Sequence, residues 1–334
     1  MSKESNPRSL IICLTALNYV YAKFDPNLDK HDVICDNDEV ANWIKDNFKG
    51  SFENIYVLKI QNKVFLKNHI ISSSEYSLWS SLRKNKYKKI YLSFSSGWHF
   101  NWLEKKLNIK IEDCIIIDDG TANLLINKTK NYYFKKFLSI ISSGKFNSFS
   151  KYREFNNKKI NQIITIYNDI EIERLDVDYS IVPIKDKLSK YCLSRMKSNK
   201  VLLDKPYGIY LTSDRGFYYK NHKKIIKEIE INLDKLKKKT NIEWILKTKR
   251  TDPLRELYLE NQFNLAPHTI NQELMLDKNL IYTCTNFDSF LLNKYVLDLP
   301  VNVIVRANEK TYEKHPQKVD ILKRLTKDAS NILN

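Results

Sequence analysis

The chain has 334 residues, 43% of them hydrophobic, and a formal net charge of +17. This composition excludes a disordered protein, and the length favours two domains that each bury their own core. The charge would attract an anionic partner. No zinc-finger spacing, helix-turn-helix signature or aromatic-rich RNA-binding motif accompanies it, which disfavours nucleic acid. A phosphorylated substrate and an anionic membrane surface are the partners that fit this charge.

The first half of the chain alternates short apolar runs with polar segments of helical period. This alternation is typical of βαβ units and predicts a parallel sheet. The first apolar run is too short and too interrupted to span a membrane, so we interpret it as the first strand. Strands are predicted at Ser9–Thr15, Asp32–Cys35, Ile55–Ile60, Ile90–Ser95, Cys114–Ile117 and Ile160–Tyr167, and helices at Glu39–Asn47 and Glu75–Arg83.

After a looser section at 168–206, with a linker expected near 185–205, the same rhythm restarts. It runs through GIYLTSD, a lysine-rich helix, IEWILKTK, LIYTCT and VNVIVRA. We therefore predict an α/β protein with two Rossmann-like parallel-sheet domains, residues 1–190 and 191–334, facing a central cleft. No glycine-rich dinucleotide fingerprint follows the first strand and no GxxxxGK[ST] motif occurs, which disfavours a dehydrogenase or a P-loop enzyme.

The cysteines lack paired or metal-ligand spacing, and no HExxH or comparable constellation occurs. A reducing cytoplasm is the simplest setting for such a chain, and no metal site and no cofactor are expected. The five cysteines are Cys13, Cys35, Cys114, Cys192 and Cys284.

The segment CIIIDDGTANLL places Asp118, Asp119 and Gly120 directly after an apolar strand. In open parallel sheets the carboxyl edge is where ligands bind. Two adjacent carboxylates would repel each other if both were ionised, so one is expected to have a raised pKa suited to removing a proton. The pair is a candidate general base. The alternative is an Asp-Gly turn that only ends the strand.

A second informative segment runs from Glu273 through LIYTCTNFDSFLL at 280–292. An apolar strand ends in Thr283, Cys284, Thr285 and Asn286, and a helix follows. Hydroxyl groups and free backbone N–H groups at the start of a helix favour an anion, because the helix dipole adds to their effect. The alternative is that Thr285 or Asn286 is simply a helix N-cap.

The order of these motifs resembles the bacterial sialyltransferases, in particular the lipooligosaccharide sialyltransferases and capsular polysialyltransferases of GT-B architecture. Asp118-Asp119-Gly120 matches the acid-acid-glycine motif that supplies the general base in the acceptor half of those enzymes. Thr285-Asn286 occupies the position of their hydroxyl pair, with Asn in place of Ser or Thr, and Glu273 that of a carboxylate near the nucleoside ribose.

The resemblance implies a metal-independent, inverting transfer of sialic acid, or a related nonulosonic acid, from a CMP-activated donor. The expected acceptor is a sugar hydroxyl of a bacterial surface glycan that is lipid-linked, such as a lipooligosaccharide, O-antigen or capsule precursor. The expected location is the cytoplasm, with peripheral association at the inner face of the inner membrane. The alternatives are a GT-B transferase that uses CMP-Kdo or a UDP-sugar, and a non-catalytic glycan- or nucleotide-binding protein on the same fold.

The sequence departs from this family at its His-Pro motif. ILKTKRTDP has Asp252 before the proline, and His315-Pro316 follows the hydroxyl segment instead of preceding it. An ionised Asp252 would repel the donor phosphate. We therefore expect the phosphate charge to be offset by Lys247 or Lys249, with His268 as a further donor. The alternative is that both lysines are solvated at a strand end.

Overall fold

The computed structural model describes residues 8–57, 82, 85, 87–93, 114–118, 160–167, 180–212, 222–248, 252, 254–267, 270–285, 289–306 and 332–333. The chain divides into two compact units, Met1–Leu188 and Ser189–Asn334. Each contains a parallel sheet with helices between its strands, so the predicted α/β fold with two Rossmann-like parallel-sheet domains is confirmed. Their arrangement around a cleft stays a prediction.

In the described part of the first unit, seven parallel strands pair in the order β3-β2-β1-β4-β5-β6-β7. This order reverses between β1 and β4, as in the Rossmann fold, and such reversals open a crevice at the carboxyl ends of the strands. The elements are β1 (Arg8–Cys13), α1 (Ala16–Lys23), β2 (His31–Cys35), α2 (Asp38–Asn47), β3 (Asn54–Val57), β4 (Tyr87–Ser93), β5 (Cys114–Asp118), β6 (Ile160–Thr165) and β7 (Ser180–Pro183).

The local sequence explains these elements. Every residue of β2 and β5 is buried, as expected for central strands that helices cover on both faces. Helix α2 begins after Asn37, whose side chain accepts a 2.9 Å hydrogen bond from the Val40 backbone N–H. Its buried side chains Val40, Ala41 and Ile44 follow helical spacing, so one stripe of the helix packs on the sheet.

The amino edge of the first sheet is held together around Asp32, whose side chain is fully buried. Its carboxylate accepts hydrogen bonds from Tyr87 Oη at 2.8 Å, Asn54 Nδ2 at 2.9 Å and Asn85 Nδ2 at 3.1 Å, and it pairs with Arg8 at 3.4 Å. Several donors from different strands satisfy one buried charge, so this cluster stabilises the sheet edge opposite the expected site.

The prediction of a linker near 185–205 is wrong over most of that segment, because helix α3 (Lys185–Ser198) occupies it. Leu188 and Cys192, one turn apart, are both fully buried, which gives the helix its packing stripe. The boundary between the two units falls inside this helix.

The second unit has a five-stranded parallel sheet in the order β12-β11-β10-β8-β9 in its described part. Counted from its own first strand this is the flavodoxin-like order, which reverses between β8 and β10. The elements are β8 (Tyr207–Leu211), α4 (His222–Thr240), β9 (Glu243–Lys247), α5 (Arg255–Glu260), a 3₁₀ turn (Gln272–Leu274), β10 (Leu280–Thr285), α6 (Ser289–Val296), β11 (Asn302–Arg306) and β12 (Ile332–Leu333).

One face of this sheet packs against α4. The helix buries an apolar stripe of Ile225, Ile226, Ile229, Leu233 and Leu236, which forms a core with the sheet residues Tyr210, Trp244, Leu246, Cys284 and Ile304. Because side chains alternate along a strand, the odd-numbered residues of β9 and β10 lie on the opposite face. None of the helices in the described part is both long and apolar enough to cross a bilayer.

Candidate functional site

Asp118 lies at the carboxyl edge of the first sheet, as the last residue of β5. Its side chain is buried and accepts a 2.7 Å hydrogen bond from Thr165 Oγ1, on the neighbouring strand β6. The same Thr165 oxygen accepts a 3.0 Å hydrogen bond from the Tyr167 backbone N–H. A side chain of the neighbouring strand therefore helps to hold the carboxylate in place. Asp119 and Gly120, the other two members of the motif, lie outside the described residues.

At the strand-order reversal of this unit, between β1 and β4, a side chain of the protein occupies the backbone N–H groups that could otherwise bind a ligand. The Asn18 side-chain oxygen accepts hydrogen bonds from the backbone N–H groups of Leu14 at 2.9 Å and Thr15 at 3.0 Å. These donors precede α1, where a dinucleotide-binding protein would hold its pyrophosphate. Because Asn18 occupies them, this helix start is a poor phosphate site, which agrees with the missing glycine-rich fingerprint.

In the second sheet, Lys247 is the last residue of β9 and Thr285 is the last residue of β10. The strand register places both beside Leu211 of β8. Lys247 pairs with Leu211 of β8, and the register of β8 with β10 places Thr285 beside Leu211. The two side chains share a face, and two strand spacings separate their Cα atoms by about 10 Å. Thr283 lies two residues back on that face. The structure thus brings three of the predicted donor-binding residues to one sheet edge.

Lys247 is not solvated, because its side chain is only 6% exposed. Its Nζ atom donates a 2.9 Å hydrogen bond to the Pro267 carbonyl oxygen. Burial lowers the lysine pKa to about 8, while the negative charge of Glu273 opposes this shift. Lys247 is thus a buried cation near a carboxylate, and the alternative of a solvated lysine is wrong at this position. Lys249 and His268 lie outside the described residues.

Glu273 belongs to the 3₁₀ turn and is buried. One of its carboxylate oxygens accepts a 2.6 Å hydrogen bond from Asn293 Nδ2, on α6. The Cys192 thiol has its pKa raised to about 12, first by burial and then by the charge of Glu273. Glu273, Asn293 and Lys247 therefore form a buried polar group behind the carboxyl edge of the second sheet.

Asp252 precedes the proline where the sequence resemblance led us to expect a histidine, and the structure gives this residue a structural role. Its side chain accepts 3.0 Å hydrogen bonds from the Leu254 backbone N–H and from Thr212 Oγ1. The residue thus closes the turn before α5 and ties it to the end of β8. Asn286 and His315 lie outside the described residues.

Among the buried polar side chains that have no hydrogen-bond partner within the described ranges, two lie in or beside the predicted donor-binding segments. They are the Thr283 hydroxyl and both polar atoms of the Gln272 carboxamide. Buried polar groups are nearly always paired in folded proteins, so unpaired ones mark positions where a ligand or water is expected. Thr283 lies on the same face of the second sheet as Lys247, and Gln272 directly precedes Glu273 in the 3₁₀ turn.

Sequence reasoning missed Arg306, the last residue of β11. Its guanidinium carbon lies 4.0 Å from the centre of the Tyr210 ring. Its two terminal nitrogens donate to the Tyr210 hydroxyl and to the Leu211 carbonyl oxygen. The available signal was a basic residue directly after the apolar run VNVIV, at a strand's carboxyl end. No group of His, Cys, Asp or Glu suited to a metal ion occurs in the described part of the chain.

No family model matches the sequence, and the search of curated proteins found no match. Solved structures that are similar include the Methanocaldococcus jannaschii UDP-GlcNAc 2-epimerase in complex with UDP-GlcNAc and UDP. It is 12% identical, with a TM-score of 0.47, over 95% of this chain and 91% of that chain. The wall teichoic acid polymerase TagF is 14% identical, with a TM-score of 0.44, over 95% of this chain and 73% of that chain.

A crystal structure of a GsuK mutant is 11% identical to this chain, with a TM-score of 0.27. The match covers all of this chain, which spans 66% of the length of that GsuK chain. With identities of 10–14% and TM-scores below 0.5, these likenesses carry no argument about activity.

Proposed function

We propose that the protein is a glycosyltransferase that uses a nucleotide-activated sugar, specifically an inverting sialyltransferase with a CMP-linked donor. The observation that carries this proposal is the row at the carboxyl edge of the second parallel sheet. There Lys247 and Thr285 share one face, backed by Glu273 and Asn293. Open α/β sheets bind nucleotides at this edge, beside the reversal of strand order.

The donor carries a phosphate and a carboxylate, so its site needs positive charge and hydrogen-bond donors. Lys247 supplies a cation that is already desolvated and oriented by the Pro267 carbonyl. Glu273, fixed by Asn293, supplies an acceptor suited to a ribose hydroxyl. Lys249, His268, Thr283, Thr285 and Asn286 complete the proposed donor-binding set.

The acceptor side is proposed for the first unit. The acceptor hydroxyl attacks the anomeric carbon of the donor, the carbon–oxygen bond to the phosphate breaks, and CMP leaves with the electron pair. Asp119 takes the hydroxyl proton, and Asp118, held by Thr165, supports the acid beside it. Inversion follows because attack and departure occur on opposite faces of the sugar. A metal is unnecessary in this scheme if cationic side chains stabilise the leaving phosphate.

The acceptor is proposed to be lipid-linked, with the protein at an anionic membrane surface. Helix α4 supports this part of the proposal, because it carries seven exposed lysines and only three acids, Glu228, Glu230 and Asp234. Each lysine near an anionic surface contributes about 1 kcal/mol of attraction. The lysines are Lys223, Lys224, Lys227, Lys235, Lys237, Lys238 and Lys239.

A thermal-shift titration with CMP, UDP, GDP and ADP tests the donor class. We expect CMP to raise the melting temperature of the wild type most. Lys247→Met should reduce the CMP shift, whereas Lys205→Gln, which removes an exposed charge before β8, should leave it unchanged. A larger shift with UDP would favour a UDP-sugar transferase, and no shift with any nucleotide would contradict the proposal.

A further inference from the structure

We propose that Arg306 holds a phosphate group of the bound nucleotide at the strand-order reversal of the second sheet. The identity of the ligand rests on the function proposed above. The placement rests on the geometry of Arg306 itself, which belongs to none of the sequence motifs.

Arg306 reaches across the point where the sheet changes direction. It ends β11, yet its guanidinium contacts Tyr210 and Leu211 of β8, on the far side of β10. The reversal of strand order lies between β8 and β10. The arginine therefore reaches the carboxyl edge, where open α/β sheets bind their ligands, from the α4 face, and Lys247 and Thr285 reach it from the other face.

The charge of Arg306 has no carboxylate partner within 4 Å in the part of the chain that the structure describes. Lys247 differs, because the charge of Glu273 acts on it. A partly buried cation without an opposite charge is costly to desolvate unless an anion joins it. Within the described residues, Arg306 is thus a second cation at this edge, beside Lys247, and its own charge has no carboxylate partner there.

The donors of the guanidinium lead to the same conclusion. Arginine has five N–H groups. Two of them are used by the Tyr210 hydroxyl and the Leu211 carbonyl, and the buried Nε–H has no acceptor within the described ranges. One N–H remains on each terminal nitrogen. Free N–H groups of a guanidinium are suited to the oxygens of a phosphate.

The arginine is held in place before any ligand arrives. The guanidinium stacks on the Tyr210 ring, and the tyrosine hydroxyl also accepts a 3.2 Å hydrogen bond from Asn232 Nδ2 of α4. Burial raises the pKa of Tyr210, while Arg306 opposes this shift, so the phenol stays neutral at physiological pH. A cation fixed by a neutral partner keeps its full charge for the phosphate.

Isothermal titration of CMP, cytidine and inorganic pyrophosphate tests the inference on four proteins: the wild type, Arg306→Gln, Arg306→Lys and Lys205→Gln. We expect Arg306→Gln to weaken CMP binding about 10- to 100-fold and to leave cytidine binding unchanged. Arg306→Lys keeps the charge but loses the planar guanidinium, so its CMP affinity should lie between those of the wild type and Arg306→Gln. The CMP affinity of Lys205→Gln should match that of the wild type.

CMP affinity within threefold of the wild type in folded Arg306→Gln would overturn the inference and leave the proposed function intact. If the wild type binds pyrophosphate but not CMP, and Arg306→Gln loses pyrophosphate, the inference stands and the proposed donor is wrong. If Arg306→Gln fails to fold, the inference is tested by the CMP affinity of Arg306→Lys and by the ratio of CMP to cytidine affinity in the wild type. Equal affinity of the wild type for CMP and cytidine would overturn the inference.

Discussion

The Thr165 hydroxyl donates a 2.7 Å hydrogen bond to a carboxylate oxygen of Asp118, across the pair of strands β5 and β6. The bond fixes the first acid of the motif at the carboxyl edge of the first sheet. A carboxylate that is buried and bonded to a neighbouring strand serves better as a support than as a mobile base. This relationship is why we assign proton removal to Asp119 and positioning to Asp118.

We expect Thr165→Val to lower the free energy of unfolding by about 1.5–3 kcal/mol, because a hydrogen bond to a buried charged group is lost. Urea denaturation measures this directly. Thr165→Ser keeps the hydroxyl and should lose much less. A Thr165→Val protein as stable as the wild type would show that the bond contributes nothing.

We expect Asp119→Asn to reduce transfer by about 10²- to 10⁴-fold, as is common when a general base is removed. CMP affinity and the melting temperature should stay nearly unchanged, because the lost group acts on the acceptor proton. Steady-state rates with a saturating donor measure the effect. If Asp118→Asn and Asp119→Asn both retain more than about a third of wild-type activity, the acidic motif has no catalytic role.

The lowered pKa of Lys247, about 8, predicts that CMP binding depends on pH. The lysine loses its proton as the pH rises through about 8, whereas the phosphate, with a second pKa of about 6, remains doubly charged. CMP affinity should therefore fall severalfold between about pH 7 and pH 9.5. Lys247→Met should bind CMP about 10- to 100-fold more weakly at pH 7 and show a flat profile. The same pH dependence in both proteins would exclude Lys247.

The same group also affects stability. Its folded-state pKa of about 8 lies below the ordinary value of 10.5, so the unfolded chain binds more protons between these two values. The contribution of Lys247 to the free energy of unfolding is therefore lowest below pH 8 and rises towards pH 10.5. Denaturant titrations of the wild type and Lys247→Met should differ in slope over that window and not below it.

Gly208 leaves no room for a side chain. A Cβ atom there would lie 2.7 Å from ring atoms of Trp244, which is 4% exposed. We expect Gly208→Ala to lower the free energy of unfolding by about 1–3 kcal/mol through overpacking. In a Trp244→Leu background, which removes the ring, the same substitution should cost less. Equal costs in both backgrounds would place the strain elsewhere.

Much of the fold could be predicted from local sequence. The run Cys114–Ile117 gives a strand because four apolar residues in a row fit a position buried on both faces, and the observed strand extends it only by Asp118. Helix α3 was missed although Leu188 and Cys192 have helical spacing. The polar residues around them suggested an irregular section, whereas tertiary packing of that stripe stabilises the helix.

The site was less predictable because its properties depend on contacts far apart in the sequence. Lys247 is buried because residues 262–267 return beside β9, where Leu265 bridges Leu246 and Pro267 accepts the lysine hydrogen bond. The Arg306 side chain is positioned by Tyr210, which lies 96 residues away in the sequence. Hydrophobic periodicity shows where a strand ends, but it does not show which other strand a side chain at that end will contact.

The most direct test of the central claim is the release of CMP from CMP-sialic acid, measured by chromatography with and without a mixture of surface-glycan acceptors. We predict that the wild type releases CMP even when a chelator is present, and that the release is faster when acceptor is added. Asp119→Asn should release almost no CMP. No CMP release by the wild type under any of these conditions, together with turnover of a UDP-sugar in the same assay, would contradict the account.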